Sequence, residues 1–195
     1  MQSESDLDLV ASARAGDVAA YGRFVQRHQQ RVYRLALHML KQKADAEDVT
    51  QETFVRAWSA LDRFDGRSEP FTWVYRIAVN LSLNVLRARR TRPQAPIDDD
   101  ARVEAVLAEY CRGPGDPLVN SENRQLVSAL LRAMESLSET LRTTLVLVAV
   151  DGMSHGDAAS ILGCPEGTVA WRVHEARRKL RAALSEMDKV PEEEP

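Results

Sequence analysis

Polar side chains recur at helical spacing in the segment DAEDVTQETFVRAW, residues 45–58. Five of them are predicted to share one helix face: Asp45, Asp48, Gln51, Glu52 and Thr53. Three apolar residues are predicted to lie behind this face: Val49, Val55 and Trp58. Carboxylates in this pattern could bind a metal ion or a basic partner, although most charge runs are only solvated. No histidine follows these acids at i+3 or i+4, so the pattern does not favour a catalytic or metal site.

A second group of residues combines aromatic rings with arginine. Between residues 70 and 97 there are five arginines and no acidic residue. Eight side chains that suit nucleic acid lie in a loop and the helix after it: Phe64, Phe71, Trp73, Tyr75, Arg76, Asn80, Asn84 and Arg87. Aromatic rings stack on unpaired bases while arginines follow the phosphate backbone, so this group predicts binding of single-stranded DNA. Trp73, Ile77 and Leu81 also have the spacing of a packed core, and both roles stay open for Trp73.

The run SHGDAASILGCPEGTV, which begins at residue 154, predicts a helix-turn-helix. Ser154 with Asp157 resembles a capping box that begins a short helix, and Gly163 is placed to end that helix in the left-handed conformation. Because Pro165 cannot continue the first helix, a second one must begin directly after it. Two small residues allow the helices to cross closely: Ala158 and Ala159.

The second helix of this motif has an apolar stripe and a polar exterior. The stripe comprises Val169, Val173, Ala176 and Leu180. The other faces carry Thr168, Trp171, Arg172, Glu175, Arg177, Arg178, Lys179 and Arg181. In a helix-turn-helix the second helix enters the major groove, where its early residues meet base edges and its later cations meet phosphates. The alternative is an ordinary helical hairpin whose charged face meets only water, and five cations between residues 172 and 181 count against it.

Helical periodicity extends through most of the chain. Residues 6–90 predict about four helices. The junctions between them are predicted at 16–17, 41–45 and 65–70. Periodicity resumes at Ser121 and continues to about Met187. The run TTLVLVAV at 143–150 is strand-like in composition, but its helical flanks favour a buried helix, because a lone strand would leave its backbone hydrogen bonds unmet. The chain is therefore predicted to be all-α, with two small helical domains.

Charge along the chain separates the two predicted domains. Residues 1–97 carry 15 basic and 11 acidic residues, whereas residues 98–122 carry 2 basic and 7 acidic residues. Prolines and glycines are frequent in the same acidic stretch, which is typical of a flexible linker. Four segments are predicted: a helical domain at 1–92, a linker at 93–122, a helix-turn-helix domain at 123–188 and an acidic tail at 189–195.

Composition excludes several classes of protein. Of the 195 residues, 44% are hydrophobic and 28% are charged, which is the balance of a globular chain. No stretch approaches the ~18 consecutive apolar residues of a membrane span, and the acidic start MQSESDLDLV is unlike a signal peptide. Cys111 and Cys164 supply no disulfide framework, so a cytoplasmic protein is expected. The sequence contains no GxGxxG or P-loop pattern, so no cofactor and no small-molecule substrate is expected.

Taken together, these segments resemble bacterial sigma factors of the extracytoplasmic-function (ECF) group. The likeness is carried by DAEDVTQETFVRAW at 45–58, FDGRSEPFTWVYRIAVN at 64–80, SLSETLRTTLVLVAVDGMSHGDAASILGCPEGTV at 136–169 and ARRKL at 176–180. It covers nearly the whole chain, with the motifs in the family's order. The resemblance implies sigma regions 2 and 4, joined by a linker that threads the RNA-exit path of polymerase, in a protein that is not an enzyme.

The resemblance also implies partners and contact residues. Core RNA polymerase, through its β′ and β subunits, would bind the acidic helix at Asp45, Asp48, Gln51, Glu52 and Arg56. The minus-ten promoter element, with one extruded base, would bind the eight residues of the aromatic and arginine group together with Arg67 and Ser68. The minus-thirty-five duplex would be read by Gly167, Thr168, Trp171, Arg172, Glu175, Arg178 and Lys179. An anti-sigma factor would hold the protein inactive by covering the surfaces that dock polymerase.

The chain departs from the family pattern in its second recognition segment. ECF sigma factors commonly have a basic residue and a serine after the GTV triplet, where this chain has Ala170 and Trp171. Glu175 also stands where a basic residue is common. Glu175 could accept a hydrogen bond from a cytosine amino group, and Trp171 could contact a thymine methyl. An altered sequence preference and weaker binding therefore both stay open.

Two other functions fit parts of the chain. A stand-alone helix-turn-helix regulator would use residues 121–187 to dimerise on a palindromic site, but it leaves residues 45–80 without a role. A carboxylate-dependent metal hydrolase would use Glu52 and its neighbours, but it lacks the supporting catalytic groups.

Overall fold

The computed structural model describes residues 4–91 and 121–187, and the described residues divide into two compact units. The first unit contains α1 (Asp6–Arg14), α2 (Val18–Leu40), α3 (Lys43–Ser59) and α4 (Pro70–Thr91). The second contains most residues of α5 (Ser121–Glu135), α6 (Glu139–Leu145), α7 (His155–Leu162) and α8 (Glu166–Met187). No strand forms within the two described ranges, so the all-α prediction is confirmed. The predicted acidic tail lies outside them, and so does the predicted linker except for residues 121–122, which begin α5.

Helix breaks in the first unit fall at all three predicted junctions. Asp17 caps α2, because its carboxylate accepts a hydrogen bond from the backbone N–H of Ala20 at 3.1 Å. Lys41 ends the same helix in the left-handed conformation, at φ 58°. A short 3-10 turn at Leu61–Arg63 and an irregular loop separate α3 from α4. α1 begins with a capping box that Ser5 forms with Asp8.

The core of the first unit is built around α2, which packs against α1, α3 and α4. Six side chains form its innermost part and expose none of their surface: Leu9, Phe24, Val32, Leu35, Val74 and Tyr75. Burial of each such side chain stabilises the fold by about 1.5 to 3 kcal/mol. Arg89 near the end of α4 adds a polar clamp, because it donates to the carbonyl of Leu40 at 2.8 Å and pairs with Asp45. α4 is therefore held against the junction between α2 and α3.

A buried histidine links three parts of the first unit. His28 is 6% exposed, and its Nε2 lies 2.6 Å from Oδ2 of Asp6 on α1. Its ring also contacts the rings of Phe24 and Phe71, with both centroid distances at 4.7 Å. Burial lowers the pKa of His28 below its ordinary value, and this outweighs the opposing effect of the Asp6 carboxylate. The imidazole is therefore neutral near pH 7 and donates its Nε2 proton to Asp6.

In the second unit, a buried arginine completes the end of α5. The Arg142 side chain is 8% exposed and donates to three backbone carbonyls: those of Met134 at 3.0 Å, Glu135 at 3.1 Å and Leu137 at 2.9 Å. Carbonyls at a helix C-terminus have no partner within the helix, so a charged donor there is strongly stabilising. Arg142 thereby fixes how α6 follows α5, and α8 packs against both helices.

The apolar run 143–150 is helical as predicted, but it is not buried throughout. Residues 143–147 are buried, whereas Val150 is 45% exposed. The cause is a π-helical turn over Val146–Val150, in which Asp151 donates to the carbonyl of Val146 at 2.9 Å. Such a turn adds one residue to the helical repeat and rotates the following residues out of the core. The prediction was therefore right for the helix and wrong for its last turn.

A bilayer-spanning helix would have to be both long and apolar, and no helix in the described ranges meets both conditions.

We predict that His28 makes the stability of the first unit depend on pH. The pKa of His28 is lower in the folded than in the unfolded chain, so the unfolded chain takes up the extra proton as the pH falls. The contribution of His28 to the free energy of unfolding is complete above the ordinary pKa of 6.5. It is lost as the pH falls through the folded-state pKa. His28→Gln keeps a donor for Asp6 and does not titrate. Urea unfolding at about pH 7.5 and 5.5 should therefore show a smaller loss of stability for the variant. Equal losses would contradict this role.

Candidate functional site

One candidate surface is the exposed face of α3. A buried stripe of small and medium residues sets the rotation of this helix: Ala46, Val49, Thr53 and Ala57. Away from the stripe, the exposed residues include Asp48, Gln51, Glu52, Val55 and Arg56. We call these five residues the α3 face.

Three residues near the α3 face differ from their predicted positions. Thr53 was expected on the surface, but it is fully buried and its hydroxyl donates to the carbonyl of Val49 at 2.6 Å. Val55 and Trp58 were expected behind the face, yet they are 53% and 40% exposed. Helical periodicity explains Val55, because it lies seven residues after Asp48 and so on the same side. The α3 face therefore has an apolar centre among polar groups.

Charges around the α3 face differ in how far they are already paired. Asp45 is half-buried and pairs with Arg89, while Glu52 pairs within the helix with Arg56 at 2.6 Å. Within the described ranges, no residue forms an ion pair with Asp48. Asp48 therefore offers an exposed carboxylate to an outside partner. In the same ranges, no cluster of three or more His, Cys, Asp or Glu side chains could hold a metal ion.

The second candidate surface is the loop before α4 together with the start of that helix. Two of its predicted ligand-binding rings belong to the core. Phe64 is 6% exposed and lies 5.2 Å from the ring of Trp73, between centroids. Tyr75 is fully buried and its hydroxyl donates to the carbonyl of Arg31 at 3.1 Å. In this structure, Phe64 and Tyr75 support the surface from beneath and cannot present a ring to a base.

The remaining residues of the second surface are at least partly exposed. Phe71 and Trp73 are half-buried, and the guanidinium carbon of Arg31 lies 4.1 Å from the Phe71 ring centroid. The exposed or half-buried polar residues are Arg67, Ser68, Arg76, Asn80, Asn84 and Arg87. Two half-exposed rings therefore lie beside these hydrogen-bond donors. This is the combination of side chains from which the sequence predicted binding of single-stranded DNA. The Trp73 ring packs on Phe64 and is only half-buried, so its packing role is seen, while its role toward a base stays a prediction.

The third candidate surface is the helix-turn-helix. Asp157 donates its backbone N–H to the Ser154 hydroxyl at 3.1 Å, as the predicted cap requires. Gly163 ends α7 at φ 62°, in the left-handed region. The backbone N–H of Cys164 then donates to the carbonyl of Ala159 at 3.2 Å, and α8 begins at Glu166. The predicted motif boundaries are confirmed.

α8 is oriented by the predicted apolar stripe. The four stripe residues, Val169, Val173, Ala176 and Leu180, are all at most 8% exposed. Trp171 on the opposite side is 62% exposed, and Arg178 is also exposed. Arg172 is half-buried, with Nη1 3.6 Å from the Sγ of Cys164. Each residue predicted to meet the minus-thirty-five element therefore has accessible surface.

Two features of α8 were missed by the sequence reasoning. His174 is exposed and lies three residues after Trp171 and four before Arg178, so helical spacing alone could have added it to this surface. Glu175 forms two hydrogen bonds with Arg178, at 2.8 Å and 2.7 Å. The hydrogen bonds from Arg178 lower the pKa of Glu175, and the same pairing raises the pKa of Arg178. Both groups are therefore charged at physiological pH.

Comparison with known proteins identifies two matching family models. The model of sigma-70 region 2 matches residues 24–92, and that of sigma-70 region 4 matches residues 128–180. The first match includes the α3 face and the loop before α4, and the second includes the helix-turn-helix.

Similar proteins of known function cover nearly all of the chain. It is 37% identical over 182 residues to the ECF RNA polymerase sigma-E factor of Escherichia coli K12, covering 90% of this chain and 92% of that protein. It is 33% identical over 193 residues to the RNA polymerase sigma-H factor of Pseudomonas aeruginosa, covering 94% and 96%.

Two solved structures are similar to this fold. CnrH, in complex with the cytosolic domain of CnrY, matches with a TM-score of 0.68 and 28% identity, covering 92% of this chain and 97% of that one. RpoE, in complex with the anti-sigma factor NepR from Bartonella quintana, matches with a TM-score of 0.67 and 23% identity, covering 86% and 98%.

We predict that Gly163, in the turn before α8, is required because of its positive φ and not because neighbouring atoms leave no room for a side chain. Gly163→Ala should lower the free energy of unfolding by about 1 to 2 kcal/mol, because a Cβ is strained at positive φ although no atom lies within 4 Å of it. Gly156→Ala is the control, since its Cβ would make only an ordinary 3.8 Å contact with the Ser154 hydroxyl. Thermal unfolding by circular dichroism should show a loss for the first variant only. Equal losses would contradict the argument.

Proposed function

Since the chain belongs to the ECF group of bacterial sigma factors, we propose that its three surfaces bind core RNA polymerase and the two elements of a promoter. Sigma factors are DNA-binding transcription initiation factors, and this chain directs the start of transcription. The single observation that carries the assignment of surfaces is the exposure of polar and apolar groups on α3, the loop before α4 and α8, each within a matched region.

The α3 face is proposed to dock core polymerase, through the β′ subunit, with Asp45 at its edge. Asp48 is exposed without an ion pair in the described ranges, and Val55 supplies apolar area at the centre. An interface of this kind excludes water around an apolar centre while charges at the rim select the partner. Asp48, Gln51 and Glu52 would form that rim, and Arg56 would be shared with Glu52. Contacts with the β subunit are proposed for other parts of the chain.

The surface formed by the loop before α4 is proposed to hold the minus-ten element as a single strand. Phe71 and Trp73 offer half-exposed rings, and Arg67, Asn80 and Arg87 offer exposed donors. A base that leaves the duplex loses stacking worth a few kcal/mol, and a pocket that binds it offsets this loss. DNA opening would then be driven by binding, with Phe64 and Tyr75 keeping the surface in shape.

α8 is proposed to read the minus-thirty-five element as duplex DNA. Gly167 and Thr168 lie in its first turn, while Trp171, Arg172 and Glu175 follow over the next two turns. Arg178 and Lys179 lie further along, where the phosphate backbone is nearer in this kind of motif. Arg178 is paired there with Glu175, so Lys179 is the residue proposed to meet a phosphate. Trp171 stands where a serine is common in the family, and Glu175 stands where a basic residue is common, so we propose a different upstream preference.

We also propose that an anti-sigma factor holds the protein inactive by covering the α3 face. The similar structure of CnrH was determined in complex with the cytosolic domain of CnrY, and that of RpoE in complex with the anti-sigma factor NepR. An exposed valine among acidic groups suits a competitor as well as polymerase.

We propose further that the chain contains no catalytic site and takes no small-molecule substrate, since polymerase performs the bond chemistry. It would act in the cytoplasm, where polymerase and DNA meet.

The domain boundaries at 92, 122 and 188 and the path of the linker remain predictions. A stand-alone regulator is not favoured, because it would leave the region 2 match without a role.

We predict that Asp48→Arg weakens binding to core polymerase about tenfold or more, because it places a cation where the partner is complementary to an anion. Asp62→Arg is the matched control: it makes the same substitution in the first unit, at an exposed position on the 3-10 turn Leu61–Arg63, outside α3. Affinity for purified core enzyme should fall for the first variant and change little for the second. Unchanged affinity for Asp48→Arg, with an intact circular dichroism spectrum, would exclude the proposed docking face.

We predict that Arg172→Ala costs about 1 to 3 kcal/mol in promoter binding and relaxes the preference at one base pair. The reason is that an arginine can bind a guanine through two hydrogen bonds. Binding of holoenzyme to duplexes that vary one position at a time would measure this. A uniform loss over all sequences would instead make Arg172 a phosphate contact.

A further inference from the structure

One carboxylate and one guanidinium form a closed pair on the exposed side of α8. Arg178 donates from Nε to Oε2 of Glu175 at 2.8 Å and from Nη2 to Oε1 at 2.7 Å, so both carboxylate oxygens are engaged. The side chain of Glu175 is 19% exposed, whereas that of Arg178 is 60% exposed. A fork-to-fork pair of this kind fixes the direction of the guanidinium as well as its charge.

The other cations of α8 are not held in this way. Within the described ranges, no ion pair within 4.0 Å is formed by Arg172, Arg177, Lys179 or Arg181. Arg178 is therefore set apart from its neighbours, and the difference is made by Glu175.

Pairing matters because a helix in a DNA groove gains affinity from each cation that reaches a phosphate. Such a contact releases a counterion and makes the logarithm of the binding constant fall by about 0.9 for each unit of log salt concentration. This attraction is the same for every sequence, so it strengthens binding to wrong sites and right sites alike. A cation whose charge is already cancelled by a neighbouring carboxylate contributes little of it.

We propose that Glu175 is a specificity-determining residue of the minus-thirty-five helix, which holds Arg178 in one direction and cancels its charge. α8 then binds duplex DNA less through phosphate attraction and more through base contacts made by exposed side chains such as Trp171, one turn earlier. This inference deepens the proposed function and rests on it. It also gives Glu175 a positioning role toward Arg178, since both of its oxygens are occupied.

The test uses holoenzyme assembled from core polymerase and the full chain, bound to a fluorescent promoter duplex and to a scrambled duplex between 50 and 200 mM salt. Glu175→Gln keeps the size of the side chain and removes its charge. Its salt dependence should be steeper by about 0.9, which is a roughly 3.5-fold greater loss of affinity over this range. The ratio of promoter to scrambled affinity should fall, because the added attraction is not sequence-specific.

Two further variants make the result specific to the pair. In the Glu175→Gln background, Arg178→Ala should return the salt dependence to the wild-type value, because the freed cation is then gone. Glu166→Gln makes the same charge change on the opposite side of α8 and should leave the salt dependence unchanged. Circular dichroism confirms that all variants are folded.

Three outcomes would overturn the inference: equal salt dependence for wild type and Glu175→Gln, a steeper dependence that survives loss of Arg178, or a changed preference at one base pair with no change in salt dependence. The last would make Glu175 a direct base contact. If wild-type holoenzyme does not form or does not bind promoters selectively, the proposed function fails instead.

Discussion

The rotation of each helix about its own axis is fixed by a narrow buried stripe, and every proposed surface depends on this constraint. On α3 the stripe runs through Ala46, Val49 and Ala57, and on α8 it runs through Val169 and Leu180. Rotating either helix by one residue would expose apolar area worth several kcal/mol and bury charges without partners. The hydrophobic effect thus decides which charged and aromatic groups face outward. The buried stripe residues themselves are not proposed to contact polymerase or DNA.

Polar interactions then set how the outward groups are used. Arg89 ties Asp45 to the α2–α3 junction, while Asp48 forms no ion pair within the described ranges, so the α3 face has a fixed edge and an unpaired carboxylate at its rim. On α8, Glu175 occupies Arg178. Surface ion pairs of this kind add little stability. In the function that we propose, these pairs act on recognition, because they set how much charge a partner meets and the direction in which the arginine donors point.

Sequence patterns predicted the parts of the structure that depend on local periodicity and turn chemistry. The stripe of α8, the glycine turn at residue 163 and the three junctions of the first unit are of this kind, because each is specified by residues within a few positions of one another. Polarity alone misplaced Thr53, whose hydroxyl is satisfied within its own helix. It could not assign Tyr75 either, since an aromatic ring suits a core as well as a base. The contact between Asp6 and His28 spans 22 residues and depends on how α1 packs on α2.

Run-off transcription measures whether this chain directs core RNA polymerase to promoters by binding both of them. Purified core enzyme is mixed with the chain and a pool of promoter fragments, with core enzyme alone beside it. We expect transcripts from a discrete subset of fragments that share two sequence elements at constant spacing, and none of these transcripts from core enzyme alone. Failure to form a stable assembly, or transcripts identical with and without the chain, would contradict this expectation.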